Sequence, residues 1–154
     1  MTHTVEIRKA TPDDVPLLAK LEERIFSDDV WPAADIEGIM SVPYVYGFVV
    51  KVDGEEVGYS LIQAAPKAVA DILTIGVIPE ARQKGGAKAL LHAMFEVAKE
   101  LQVGSVYLEV RHGNAAARAF YQKAGGVEVG KRPAYYRARN GMPAEDAIVY
   151  QFVF

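Results

Sequence analysis

The chain has 154 residues, of which 51% are hydrophobic and 24% are charged. This length can bury a sizeable core, and this composition excludes an intrinsically disordered protein. The chain contains no cysteine, which excludes disulfide bonds, catalysis by a thiolate and cysteine-bound metal. We expect one domain over residues 1–154, in the cytoplasm and away from membranes, because the N-terminus lacks a signal-peptide pattern and no apolar run could span a bilayer.

Charge is distributed unevenly along the chain, although the formal net charge is only −3. Residues 1–40 hold nine acidic and four basic side chains, whereas residues 82–139 hold eleven basic and four acidic ones. The basic residues are spread among helix and strand patterns without clustered aromatic residues, so they favour a small anionic ligand over nucleic acid. The acidic N-terminal part would favour a cationic substrate, although simple solvation explains it equally well.

The first part of the chain shows a strand pattern followed by two helix patterns. Residues 4–9 alternate apolar and polar side chains, as a half-buried strand does. Thr11 and Asp14 are typical of a helix start. The helix that follows has an apolar stripe of Val15, Leu18, Leu21, Ile25 and Phe26 and an outer face of Glu22, Glu23 and Arg24. A second, shorter helix is predicted from Trp31 to about Met40.

Three β-rich runs come next. Tyr44 to Val52 and Glu56 to Ala65 are joined by Asp53-Gly54, the dipeptide favoured in tight hairpin turns. The third run covers Ala68 to Ile78. Together the three runs predict an antiparallel meander.

The stretch from Val77 to Leu91 indicates a strand that delivers the chain to a helix through a glycine-paired turn. Gly85, Gly86 and Ala87 carry almost no side chain, so a ligand can approach the backbone, and the first N–H groups of the helix are unpaired. Three basic side chains surround the same N–H groups, namely Arg82, Lys84 and Lys88. Such a turn suits a pyrophosphate group. The turn alone leaves an ordinary glycine-rich strand-to-helix connection equally open.

The rest of the chain predicts a helix, a strand, a second helix and two strands. Ser105 to Val110 has a strand pattern, and the long helix before it predicts that it runs parallel to the previous strand. Asn114 can cap a short helix that ends at Ala124. Two final strands are predicted over Val127 to Arg139 and Ala147 to Phe154.

Three motifs carry a resemblance to a known family. The segment V-x-P-x-x-R-x-x-G-x-A, from Val77 to Ala87, resembles the acetyl-CoA signature of GNAT-type N-acetyltransferases. LEVRHGNAAARAFYQKAGG from Leu108 to Gly126 and RPAYYRARNGMPAEDAIVY from Arg132 to Tyr150 are similar to later blocks of RimI-type ribosomal-protein-alanine N-acetyltransferases. The resemblance covers nearly the whole chain from about Asp71 onward. It implies the acyl-CoA N-acyltransferase (GNAT) fold, an α/β architecture with a mixed central sheet of about seven strands and about four helices.

The resemblance also implies which residues bind the co-substrate acetyl-CoA. The pantetheine arm would lie against the backbone of Ile75, Gly76 and Val77. The pyrophosphate would lie against Gln83, Lys84, Gly85, Gly86, Ala87 and Lys88, with Arg82 adding charge beside them. Asn114 would also contact the cofactor. No metal is implied.

Residues for the chemistry and for the acceptor follow from the same resemblance. Glu109 matches the general base of the family and Tyr121 its general acid. Trp31, Tyr135 and Tyr136 fall in segments that would line the entry for a peptide N-terminus. On spacing alone, Glu109 would be an outward-facing carboxylate paired with Arg111, and Tyr121 would be a core residue.

Three glycines depart from the family pattern. Gly86 stands where the family usually has a larger apolar residue, which would loosen the turn. Gly126 replaces a common Phe, which removes a packing aromatic ring, and Gly113 replaces a common Ser. Neither the change at Gly86 nor that at Gly126 deletes a catalytic group.

We therefore expect an acetyl-CoA-dependent N-acetyltransferase that modifies protein N-terminal α-amines, such as the N-terminal alanine of a ribosomal protein, by direct attack. An α-amine loses its proton nearer neutral pH than a lysine ε-amine does, which favours it for a site built on one glutamate. Two alternatives stay open. One is a GNAT enzyme that acetylates a small amine or a lysine side chain, and the other is a non-catalytic acyl-CoA-binding regulatory module.

Overall fold

One mixed sheet organises the molecule. Within residues 2–27, 29–138 and 141–154, which the computed structural model describes, seven strands pair in the order β1-β2-β3-β4-β5-β7-β6. The strands are β1 (Val5–Ala10), β2 (Val45–Val52), β3 (Glu55–Ala64), β4 (Ala70–Val77), β5 (Ser105–Arg111), β6 (Val127–Tyr136) and β7 (Glu145–Val153). The helices are α1 (Val15–Ile25), α2 (Ala33–Met40), α3 (Gly86–Glu100) and α4 (Ala115–Lys123). The described part of the chain thus confirms the predicted fold class.

Strands β2, β3 and β4 form the predicted antiparallel meander, and β1 extends it by pairing with β2. Asp53 and Gly54 form the turn between β2 and β3, with φ angles of 51° and 85°. Positive φ at both central residues is what a two-residue hairpin turn needs. The Asp53 carboxylate also accepts a hydrogen bond from the Thr4 N–H at 2.9 Å, which ties the turn to the N-terminal segment.

Strands β4 and β5 are parallel, as predicted, but they separate soon after they meet. Only two residue pairs join them in the described structure, Ala70 with Val106 and Asp71 with Tyr107. Beyond these pairs β4 keeps only β3 as a neighbour, and β5 keeps only β7. One edge of residues 72–77 therefore has no strand partner, and the two strands open into a V-shaped split.

Helices cover both faces of the sheet. A Cβ built on Gly86 in α3 would lie 3.4 Å from Cγ2 of Val77, so α3 packs on the face that Val77 points to. A Cβ on Gly76 would lie 2.5 Å from Cγ2 of Ile25 in α1. Successive residues of a strand point to opposite faces, which places α1 and α3 on opposite sides of β4.

Two boundaries differ from the sequence prediction by three or more residues, and the others differ by at most two. The helix predicted at Thr11 opens with a 3-10 turn over Pro12–Asp14, and α1 begins only at Val15. The strand predicted to reach Arg139 ends at Tyr136, and Arg139 itself lies outside the described residues. No helix in the described part of the chain is long and apolar enough to cross a membrane.

The prediction that Glu22 lies on the outer face of α1 is wrong. This residue is only 2% exposed, whereas Glu23 and Arg24 are exposed as predicted. Position 22 follows Leu18 by four residues and precedes Ile25 by three. Helical spacing therefore places Glu22 on the apolar stripe, and the outer face was predicted only because the side chain is charged.

We predict that Ser60→Ala stabilises the protein. Ser60 in β3 is fully buried, and its hydroxyl has no hydrogen-bond partner among the described residues. A buried unpaired polar group costs about 1–3 kcal/mol, so its removal should raise the free energy of unfolding by about 1 kcal/mol in urea titrations. Ser105→Ala is the control, because Ser105 Oγ accepts a hydrogen bond from Gln151 at 3.3 Å and its loss brings no gain. A lower urea midpoint for Ser60→Ala would contradict the prediction.

Candidate active site

Three adjoining cavities lined by described residues follow the split between β4 and β5. The turn groove, of about 450 Å³, lies beside the start of α3. The central cavity, of about 310 Å³, lies between α1, β4, β5 and α4. The outer cavity, of about 620 Å³, is bounded by β5 and β6. The central cavity shares Asn114 and Tyr121 with the turn groove and Trp31 and Glu109 with the outer cavity.

The turn groove is built around backbone N–H groups at the start of α3. Gly85 has a φ of +92°, which glycine adopts without strain, and no described side chain caps the helix. The first hydrogen bond at this end runs from the Ala89 N–H to the Gly85 carbonyl at 3.1 Å. The earlier N–H groups are therefore left for a ligand. Gln83, Gly86 and Ala87 line the same groove.

The predicted cationic side chains divide into two groups. Arg82 and Lys88 line the turn groove, and Arg82 Nε donates a hydrogen bond to the Val77 carbonyl at 3.2 Å. Lys84 lies closer to the β2–β3 turn. There the hydrogen bond with His3 holds the pKa of Asp53 below its usual range, and the charge of Lys84 adds a smaller effect in the same direction.

Ile75, Gly76 and Val77 line the turn groove along the edge of β4 that faces away from β3. Because β5 has already separated at this point, the edge has free backbone hydrogen-bonding groups. A side chain at Gly76 would collide with Ile25. Glycine at this position therefore lets α1 approach β4 closely beside the groove.

Glu109 and Tyr121 reach the central cavity from different elements, β5 and α4. Glu109 lies two residues beyond the last pair that joins β4 and β5. Its Oε1 is 3.0 Å from Nε of Arg132. The alternative interpretation, in which Glu109 pairs with Arg111, is wrong, since Arg111 instead lies 2.6 Å from Asp29. Glu109 is thus a half-buried carboxylate at the wall of a cavity.

Tyr121 is 8% exposed, and burial raises its pKa, with a smaller contribution from Tyr136. Its phenol therefore stays protonated well above neutral pH. The ring packs edge-on against Phe120 with centroids 5.3 Å apart, so Tyr121 is also part of the hydrophobic core. Asn114 caps α4 as predicted, because its Oδ1 accepts a hydrogen bond from the Ala117 N–H at 3.1 Å. The amide NH₂ of Asn114 is then a donor at the wall between the two cavities.

The three predicted acceptor residues all line the outer cavity. Trp31 comes from the connection between α1 and α2, and Tyr135 and Tyr136 come from β6. The two tyrosine rings meet edge-on at 5.2 Å. Arg132 lies 5.3 Å from the centroid of the Tyr135 ring, and Arg111 lies 4.1 Å from that of Tyr136. These cation–π contacts hold both rings beside Glu109.

Sequence analysis missed several residues that line the cavities. Glu22 and Thr74 line the central cavity, and Asp71 lines the outer cavity. The signal for Glu22 was its place on the apolar stripe of α1. Asp71 and Thr74 line the cavities because β5 separates from β4 near them. No local sequence pattern shows this separation. No group of three or more His, Cys, Asp or Glu side chains among the described residues could hold a metal ion.

Two of the unusual glycines have a structural explanation. A Cβ on Gly126 would lie 3.0 Å from Cζ of Phe152 and 2.9 Å from the Tyr121 carbonyl oxygen. Phe152 therefore occupies the space that a side chain at position 126 would need. The Gly113 N–H donates to Oε2 of Glu145 at 2.7 Å, and a Cβ on Gly113 would meet the same oxygen.

The sequence of the chain matches a protein family whose fold agrees with the site described above. Residues 15–126, well over half of the chain, match the acetyltransferase (GNAT) family. The chain belongs to the GNAT acetyltransferase family. It is therefore an N-acetyltransferase of GNAT type, with the mixed sheet and helices typical of that fold.

Known GNAT proteins resemble this chain over nearly all of its length. It is 35% identical over 140 residues to N-alpha-acetyltransferase RimI of Mycobacterium tuberculosis, which covers 88% of this chain and 87% of that protein. Its structure matches the Escherichia coli ribosomal-protein-S18-alanine N-acetyltransferase with a TM-score of 0.87 at 25% identity, over 97% of this chain and 94% of that one. Arabidopsis thaliana NAA60, solved with acetyl-CoA, shares the fold with a TM-score of 0.83 at 20% identity, over 98% and 99% of the chains.

We predict that the two neighbouring glycines of this GNAT turn respond differently to alanine. Gly85→Ala should lower the free energy of unfolding by about 1–2 kcal/mol, because its φ is left-handed. Gly86→Ala should leave it unchanged or raise it, because a Cβ would make ordinary contacts of 3.4–3.6 Å and alanine favours helix. Chemical unfolding of both variants checks this. Equal losses at the two positions would contradict it.

Proposed function

We propose that this GNAT enzyme transfers the acetyl group of acetyl-CoA to the α-amine of a protein N-terminus, with the N-terminal alanine of a ribosomal protein as the first candidate. One observation carries the proposal. Glu109 and Tyr121 line the same central cavity, which adjoins the turn groove on the side of Tyr121 and the outer cavity on the side of Glu109. Two substrates that enter through separate cavities would meet between a carboxylate and a phenol.

The turn groove suits acetyl-CoA. Unpaired N–H groups at the start of α3, with Arg82 and Lys88 beside them, are a typical site for the diphosphate. The free edge of β4 at Ile75 and Gly76 can pair with the amide groups of the pantetheine arm, as a strand edge pairs with an extended peptide. Asn114 then adds a side-chain donor near the end of the arm.

The reaction needs one proton acceptor and one proton donor from the chain. Bound acetyl-CoA would supply its acetyl group as a thioester, whose C–S bond breaks as the acceptor nitrogen forms the new C–N bond. Glu109 accepts the proton that the amine nitrogen loses, directly or through a water molecule. Tyr121 donates its phenol proton to the departing sulfur, and its raised pKa keeps that proton in place at neutral pH. The chain has no cysteine to carry an acyl group, so the attack is direct.

The outer cavity supports a peptide as the acceptor. It is twice as large as the central cavity and is lined by aromatic rings that can pack against the first residues of an extended chain. Asp71 adds negative charge where a cationic amine would enter, whereas the charge of Glu109 is paired with Arg132. The names of the relatives agree, since one is an N-alpha-acetyltransferase and another acts on the alanine of ribosomal protein S18. A cytoplasmic location, where new protein N-termini are made, belongs to the same proposal.

We predict that Glu109→Gln and Tyr121→Phe each lower kcat by about 100-fold or more, because each removes one proton-transfer group. Both changes keep the size of the side chain, so acetyl-CoA affinity measured by calorimetry should stay at the wild-type value. Glu96→Gln is the control, since Glu96 is an exposed carboxylate on α3, far from the reaction. Turnover at the wild-type rate in both variants would contradict the assigned roles and favour a different mechanism. A wild-type protein that binds acetyl-CoA without turnover would favour a binding module.

We predict that peptides beginning with alanine are the best acceptors. Thiol release from acetyl-CoA should be faster, in kcat/KM, with such peptides than with the same peptides carrying a blocked α-amine and a free lysine. Polyamines should likewise be poor, because an aromatic cavity and one glutamate favour an amine that is partly neutral near pH 7. Equal or higher activity with lysine or polyamine acceptors would reject the protein N-terminus as the substrate.

A further inference from the structure

Glu22 is a buried carboxylate that the proposed reaction does not use. It is 2% exposed, and no cation pairs with it in the described part of the chain. Each of its oxygens instead accepts one hydrogen bond. Oε1 accepts from the Tyr59 hydroxyl at 2.5 Å, and Oε2 accepts from the Trp31 N–H at 3.0 Å. Glu22 therefore joins helix α1, the buried strand β3 and the connection that leads to α2.

From Glu22 the hydrogen-bond network extends through Tyr59 towards the central cavity. Tyr59 is fully buried in β3, with the Thr74 side chain beside it. Thr74 belongs to β4 and lines the central cavity one residue before Ile75. Hydrogen bonds thus link the backbone of Trp31 through Glu22 to Tyr59, whose neighbour Thr74 lies on the strand that borders the turn groove.

The hydrogen bond to Glu22 gives the Trp31 backbone a fixed position. The Trp31 side chain lines both the outer and the central cavity, yet it lies in a connection without regular secondary structure. A leucine at position 22 would fit the apolar stripe of α1 and would avoid the cost of burying a charge. It would also leave the Trp31 N–H and the Tyr59 hydroxyl without an acceptor. The buried carboxylate of Glu22 therefore fixes the position of Trp31.

We infer that Glu22 is a positioning residue for the acceptor: through its hydrogen bond to the Trp31 backbone it holds the aromatic wall of the outer cavity in the orientation that binds the incoming amine substrate. This inference rests on the proposed function, in which the outer cavity receives the acceptor. Because both carboxylate oxygens are already engaged by the protein, Glu22 acts through Trp31 and does not itself touch the reacting atoms.

Intrinsic fluorescence offers a direct test, since Trp31 is the only tryptophan in the chain. Three variants of the full chain would be compared: Glu22→Ala, which removes both hydrogen bonds, Glu22→Gln, which keeps an acceptor without the charge, and Glu23→Ala, an exposed control on the next position. For each variant the emission maximum, acrylamide quenching, and the KM values for an alanine-starting peptide and for acetyl-CoA would be measured.

We expect Glu22→Ala to shift the Trp31 emission to longer wavelength, to increase its quenching and to raise the peptide KM about tenfold, the factor expected for a lost hydrogen bond to a charged group. The KM for acetyl-CoA should not change. Glu22→Gln, whose single amide oxygen can still accept from the Trp31 N–H, should stay closer to wild type than Glu22→Ala does, and Glu23→Ala should match wild type. If Glu22→Ala does not fold, Tyr59→Phe, which removes one of the two bonds, should give a smaller change in the same direction.

Three outcomes would overturn the inference. They are unchanged Trp31 fluorescence and peptide KM in Glu22→Ala, a loss of kcat with an unchanged peptide KM, and a Glu22→Gln variant as impaired as Glu22→Ala, which would mean that an acceptor for the Trp31 N–H is not what holds the site. Failure of the proposed function looks different, because the wild-type protein would then not acetylate any peptide N-terminus. The fluorescence comparison would still test the anchor in that case.

Discussion

The early separation of β4 from β5 is the constraint on which the site depends. Two parallel strands that stayed paired would close the space into which Glu109 and Ile75 now open. Each strand retains a full antiparallel neighbour on its other side, so the sheet stays intact while the split costs only a few backbone hydrogen bonds. Those unpaired backbone groups are what makes the edge of β4 suitable for an amide-containing ligand.

Much of the fold could be predicted because its signals are local. The Asp53-Gly54 turn, the apolar stripe of α1 and the Asn114 cap each depend on a few neighbouring residues, and each occurs in the structure. The parallel pairing of β4 with β5 followed from the length of the helix between them. Small side chains and positive charges indicate the glycine turn, the family resemblance adds Gln83, and the structure places all of these residues except Lys84 along one groove.

The errors came from contacts between distant parts of the chain. The alternative interpretation pairs Glu109 with Arg111 because the two residues are close in sequence. In the structure the ion-pair partner of Glu109 is Arg132 from β6. Glu22 was assigned to solvent because it is charged, although Tyr59, 37 residues away, provides a buried partner. Periodicity places a residue on a face of its element. It does not show which polar group lies on the opposite element.

The two halves of the site therefore differ in how they are built. The turn groove is formed by consecutive residues of one strand-to-helix connection and by the edge of β4, so its shape follows from the backbone. The outer cavity is assembled from the Trp31 connection and from strands β4, β5, β6 and β7, so its shape also depends on long-range contacts made by side chains, among them Glu22 with the Trp31 N–H and Arg132 with Glu109. On the proposed function, a change in one such contact would alter acceptor selectivity while the groove keeps its geometry. This separation explains physically why one fold can keep a common co-substrate and still serve different amines.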